Sequence, residues 1–136
     1  MVFVDSNVPM YVAGREHALR DPARRFLERA RAGAVDICTS TDVLQEILYR
    51  HTALKRRDLA TMVYDLFVQL CPTVFPVTLA DTDRAKALLS KSAVSVRDAV
   101  HVAVMLNHEI REIATFDEGF DRIDGVSRVR LLSNLP

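Results

Sequence analysis

Tight turns and cross-links are scarce in this 136-residue chain, which has four glycines, five prolines and two cysteines. So few breakers in a sequence that is 49% apolar exclude a disordered or fibrous protein. Cys38 and Cys71 stand far apart, with neither a CxxC pair nor a histidine at ligand spacing. That leaves no basis for structural zinc or a disulfide framework, and both read as buried thiols in a reducing compartment. No run approaches the roughly 18 apolar residues of a membrane span. The apolar start is cut short by Asp5, and dense charge follows from Asp21 to Arg25, so it does not read as a signal peptide. The expectation is a cytoplasmic protein without membrane contact. Glycine-rich phosphate loops are absent, which disfavours nucleotide binding of that type. Nor is one sign of charge in excess, because 18 lysines and arginines balance 18 acids. A strongly basic binding surface is thereby disfavoured, but an acidic centre is not. Setting four acids aside as ligands leaves 14 against 18 bases, a surplus of four positive charges that permits a phosphate-bearing substrate.

What is present is a regular alternation of strands and helices, and the length suits one domain spanning residues 1–136. Val2 to Val4 has no polar face and reads as an inner parallel strand that delivers Asp5 to the carboxyl edge of a sheet. A short helix over Val8 to Val12 follows. Asp21 with Pro22 marks the cap and first position of the next helix, which ends near Gly33. Val35, Ile37 and Cys38 form a second strand, and Ser40 opens a helix to about Lys55 that buries Val43, Leu44, Ile47 and Leu48. Asp58 caps a helix over Leu59 to Leu70. A third strand includes Val74, Phe75 and Val77, and Thr78 with Asp81 has capping-box spacing for a helix to about Lys91. Ser95 and Asp98 repeat that spacing before the helix Val96 to Asn107. Ile113 to Phe116 is a fourth strand, Gly119 to Asp124 an acidic turn, Val126 to Leu131 an edge strand, and residues 133–136 a tail. This order implies a parallel sheet between two helical layers with right-handed crossovers. Its carboxyl edge would carry Asp5 and Asp117, with Asp98 at the start of a helix on the same side and Glu46 about two turns into another.

Four converging carboxylates would repel one another unless a cation lay among them, and oxygen ligands favour Mg2+ or Mn2+ over zinc. Such a centre could activate water against a phosphodiester. Each acid also has a local use: Asp5 as a helix cap, Glu46 as a partner of Arg50 four residues on, Asp98 as a cap acid, and Asp117 in a solvated loop with Glu118 and Asp121. His101, three residues after Asp98, either faces the site or satisfies a hydrogen bond on its own helix. Ser6 could donate to Asp5, and Thr115 could orient Asp117 or a phosphate. Arg50 and Lys55, Arg56 and Arg57, joined by Arg15, Arg24 and Arg25, are the candidate phosphate grip, or else a solvated helix face. The Leu59 to Leu70 helix, with Met62 and Tyr64, could offer apolar surface to a partner or second subunit.

Taken together, VFVDSNVPMYV, the Thr41 to Leu48 segment with Glu46, SVRDAVHVAVM and ATFDEGFD resemble, in order, the four acid-bearing blocks of PIN-domain ribonucleases. The closer likeness is to VapC-type toxins of toxin-antitoxin pairs. The resemblance implies a three-layer α/β/α sandwich with a mainly parallel sheet of four to five strands. It implies Asp5, Glu46, Asp98 and Asp117 as ligands of Mg2+ or Mn2+, supported by Ser6, Asn7, Thr115 and Asp121. It further implies an RNA endonuclease leaving 5′-phosphate and 3′-hydroxyl ends, a homodimer, and a VapB-like antitoxin through which alone DNA is contacted. Two other classes fit the residues: a small-molecule phosphohydrolase with Asp5 as nucleophile, and a non-catalytic interaction domain.

Overall fold

A computed structural model describes residues 1–132, and the expected tail over 133–136 lies outside the described residues. Among the described residues, five strands form one sheet in the order β3-β2-β1-β4-β5. They are β1 (Val2–Val4), β2 (Ile37–Ser40), β3 (Thr73–Phe75), β4 (Glu112–Ala114) and β5 (Ser127–Arg128), and every pairing is parallel. The apolar run at the amino terminus takes the centre, where both neighbours satisfy its backbone and all three residues are buried.

Among the described residues, six helices cover the sheet: α1 (Asn7–Ala13), α2 (Arg20–Arg31), α3 (Thr41–Ala53), α4 (Arg57–Leu70), α5 (Leu79–Leu89) and α6 (Val96–Asn107). Helix α1 packs on α2 and α4, α3 packs on α4, and α5 packs on α6. The fold is therefore an α/β/α sandwich, as the alternation of elements implies. Between the layers, Phe3, Val4, Ile37, Ile47, Val102, Met105 and Ile113 are sealed from solvent. None of the described helices is long and apolar enough to cross a membrane.

The expected helix ends hold where a side chain caps the backbone. Ser40 accepts from the Val43 amide, Thr78 and Asp81 form a reciprocal capping box, and Ser95 accepts from the Asp98 amide. Gly33 takes a positive φ of 80° just past α2, the left-handed conformation that ends helices. Asp21 and Asp58 are different: both lie inside the first turns of α2 and α4, whose caps are Leu19 and Arg56. There each acid complements the helix dipole instead. Strands β3 and β4 are shorter than expected, with Val77 and Phe116 outside them. The acidic turn is wound into a 3-10 helix, Glu118–Arg122, capped by Asp117.

Strand order runs outward from β1 in one direction to β3 and in the other to β5. Such a reversal opens a crevice at the carboxyl ends of the central pair, β1 and β4. Asp5 follows β1, and Thr115 to Asp117 follow β4.

Candidate active site

The crevice is a cavity of about 860 Å³ whose wall includes Asp5, Glu46, Asp98, Asp117, Ser6 and Asn7. Parallel pairing puts Val4 beside Ala114, so the next residues, Asp5 and Thr115, leave the sheet side by side. Asp5 is buried and does not cap α1, because its Oδ1 accepts the Ser6 amide at 2.7 Å and its Oδ2 accepts the Thr115 hydroxyl at 2.7 Å. Burial pushes its carboxyl above the usual range, and the nearby Glu46 adds to this, while His101, Thr115 and the Ser6 amide oppose it.

Glu46 comes from α3 and is also buried. Its Oε1 lies 3.4 Å from Arg97 and 3.9 Å from Arg50, and its Oε2 lies 3.6 Å from His101 Nε2. Burial alone would raise this carboxyl, but His101, Ser6 and Arg97 outweigh it and hold Glu46 below its ordinary value. Asp98 sits in the first turn of α6, with its amide on Ser95 Oγ at 3.1 Å. Burial and the carboxylates of Asp117 and Asp5 push it up to about 6. Asp117 donates its amide to Thr115 Oγ1 at 3.1 Å and accepts the Gly119 amide at 2.8 Å. Asn7 braces the same corner, donating to Thr115 Oγ1 at 3.0 Å and accepting the Phe116 amide at 3.3 Å.

Several expected contributors stand elsewhere, Arg24 and Arg25 among them. Asp121 is held by Arg128 in a two-pronged ion pair, 2.8 Å on each oxygen, and does not line the cavity. Lys55 and Arg56 lie in the turn between α3 and α4 and Arg57 opens α4, all outside the cavity, with Arg56 paired to Asp58 at 3.4 Å. Of the proposed basic grip, Arg15 and Arg50 do line it, joined by Arg97. Arg97 went unread in the sequence, although its place beside Asp98 at the start of a helix was a signal for it.

His101 resolves to the site, with no hydrogen-bond partner on either ring nitrogen. Three residues after Asp98 on α6, it lies one turn deeper, sealed from solvent. Burial alone would lower its pKa, but Glu46, Asp5 and Asp42 raise it. Among the described residues, Asp5, Glu46 and His101 bring ligand atoms within 4.8 Å of one another. Glu46 Oε2 and both nitrogens of His101 are buried without a hydrogen-bond partner. Orphaned donors of this kind fit a divalent cation, as does the mutual repulsion of Asp98 and Asp117.

An acid-lined crevice at the switch point of a parallel α/β/α sheet makes a candidate metal centre in an α/β class of protein. The sequence pattern of the PIN domain matches residues 2–126. Ribonuclease VapC13 of Mycobacterium tuberculosis is 40% identical over 130 residues, covering 95% of this chain and 99% of that protein. In fold, the chain resembles the M. tuberculosis VapC20 crystal structure, described as a sarcin-ricin loop cleaving toxin. The two share 22% identity at a TM-score of 0.73, covering 89% of this chain and 93% of that one. Rickettsia felis VapBC2, crystallised with a fragment of its promoter DNA, matches with a TM-score of 0.75 and 17% identity over 95% of this chain and 98% of that one. The chain belongs to the PIN domain family and to its VapC-type ribonuclease branch.

Proposed function

We propose that this protein is a metal-dependent endoribonuclease and the toxin of a toxin-antitoxin pair, acting as a single domain over residues 1–136 in the cytoplasm. The observation that carries the reading is the convergence of Asp5, Glu46, Asp98 and Asp117 on one cavity in a chain 40% identical to a named ribonuclease. These carboxylates would hold Mg2+ or Mn2+. A cation bound there supplies charge neutralisation at the scissile phosphate and hydroxide character in the attacking water.

The remaining work belongs to the chain. Thr115, Asn7 and the Ser6 amide fix Asp5 and orient its oxygens. Arg15, Arg50 and Arg97 at the cavity wall hold phosphates of the RNA backbone and place it without reading bases. Asp121, tied to Arg128, is left out of this assignment. Attack by water leaves 5′-phosphate and 3′-hydroxyl ends.

A VapB-like antitoxin and a homodimer complete the reading, with DNA bound through the antitoxin. Supporting a protein partner, an apolar groove of about 260 Å³ runs between α1, α2 and α4, lined by Val12, Leu27 and Phe67. Met62 and Leu66 also line it and are 50% and 58% exposed.

Cleavage of a structured-RNA panel by purified, antitoxin-free protein tests the reading, with Mg2+, Mn2+ or chelator and Asp98→Asn as the matched control. Cuts that need metal and vanish in D98N are expected. Cutting that survives both chelation and D98N would refute it. A phosphate-labelled Asp5 would instead mark a small-molecule phosphohydrolase, and a stable protein complex without metal binding an interaction domain.

A further inference from the structure

The imidazole of His101 is fully buried, yet neither ring nitrogen has a hydrogen-bond partner. A buried polar group left unpaired is costly, so packing alone does not account for a histidine here. The Phe3 ring packs against it, with centroids 5.7 Å apart at 45°, and helps fix its plane. Its Nε2 edge faces Asp5 Oδ1 at 3.7 Å and Glu46 Oε2 at 3.6 Å, and its Nδ1 edge faces Asp42 Oδ2 at 3.8 Å.

Those Nε2 separations are too long for hydrogen bonds. They fall between the adjacent and opposite spacings of two ligands sharing an ion. Two donors each about 2.1 Å from an octahedral cation are about 3.0 Å apart when adjacent and about 4.2 Å apart when opposite. The Asp42 carboxylate stands behind the other nitrogen, the place from which an acid orients a metal-bound histidine once it closes to hydrogen-bond distance.

We propose that His101 Nε2 is a nitrogen ligand to the divalent cation shared with Asp5 and Glu46, with Asp42 setting the ring's tautomer from behind. The proposal rests on the metal-dependent reading above and deepens it, because it replaces an all-oxygen centre with a mixed one. Asp42, with 32% of its side chain exposed, acts through His101 and is a positioning residue. Magnesium is satisfied by oxygen and retains its waters, whereas imidazole suits transition-metal cations. The centre therefore selects Mn2+ over Mg2+.

The test is pulsed electron paramagnetic resonance on the whole protein loaded with one equivalent of Mn2+, alongside Mn2+/Mg2+ competition binding. Wild type is expected to give the nitrogen-14 coupling of a coordinated imidazole. His101→Gln should lose that coupling and reduce the Mn2+ preference at least about tenfold, while Asp42→Asn should keep the coupling and bind Mn2+ about tenfold more weakly. Bound Mn2+ without nitrogen coupling in wild type would overturn the proposal while leaving an oxygen-only nuclease centre intact. Folded wild-type protein that binds no Mn2+ would overturn both readings. Should H101Q fail to fold, the wild-type spectrum alone decides.

Discussion

The hydroxyl of Thr115 donates to Asp5 Oδ2 at 2.7 Å, joining residues 110 positions apart in sequence. Thr115 Oγ1 in turn accepts from the Asn7 amide nitrogen at 3.0 Å and the Asp117 backbone amide at 3.1 Å. One donor and two acceptor sites are all that a hydroxyl offers, so Thr115 is fully used. It locks the end of β4 to the end of β1 and to the start of α1.

Thr115→Val keeps the shape and removes all three bonds. Leaving buried partners unsatisfied should cost about 1–3 kcal/mol of stability, and loosening Asp5 should weaken metal binding about tenfold. Thr115→Ser should restore most of both. Urea denaturation and metal titration of the two variants check this; wild-type metal affinity in T115V would remove the orienting role.

Asp98 gives the metal-free protein a pH dependence. Its folded pKa of about 6 lies above the ordinary 3.8, so between these values the folded state binds more protons than the unfolded one. Stability attributable to Asp98 therefore falls as pH rises through that window. After allowance for solvent screening of a half-buried group, the loss at pH 7 is on the order of 1–2 kcal/mol. In chelator, D98N should be more stable than wild type at pH 7.5 and nearly equal to it at pH 4. Saturating Mn2+ should reverse the order at neutral pH, because wild type gains binding energy that D98N forfeits. Denaturation at the two pH values, with and without metal, provides the comparison. A D98N protein less stable than wild type in chelator at pH 7.5 would contradict the repulsion.

Arg97 is 45% exposed where it pairs with the buried Glu46, a carboxylate that Arg50 and His101 also face. Its value should lie in RNA contact. Introduced into the inactive D98N background, Arg97→Ala or Arg15→Ala should weaken RNA binding and reduce the salt dependence of affinity by about 0.7 per lost phosphate contact. Lys55→Ala should leave both unchanged, since Lys55 stands outside the cavity. Binding isotherms at several salt concentrations separate these cases.

The elements around the site were legible because local chemistry dictates them. An apolar run ending in Asp5 reads as an inner strand, and Ser95 fixes the start of α6 so that Asp98 falls in its first turn. Strand register, by contrast, depends on partners distant in sequence. The pairing of Val4 with Ala114, which makes Thr115 the neighbour of Asp5, has no local signature. The same limit applies to Asp121: its acidic neighbourhood suggested the site, but Arg128 on the adjoining edge strand captures it. For His101, the spacing from Asp98 left open the site or a hydrogen bond on its own helix, and its isolation from every hydrogen-bond partner emerges only when α3, α6 and β1 meet.

Water attack on an RNA phosphodiester at the acidic cavity is tested most directly by cleavage in oxygen-18 water with Mn2+, run in parallel on wild type and D98N. Wild type should place the label in a 5′-phosphate and leave a 3′-hydroxyl, with no product from D98N. Unlabelled 2′,3′-cyclic phosphate ends, or equal cleavage by D98N, would contradict the account.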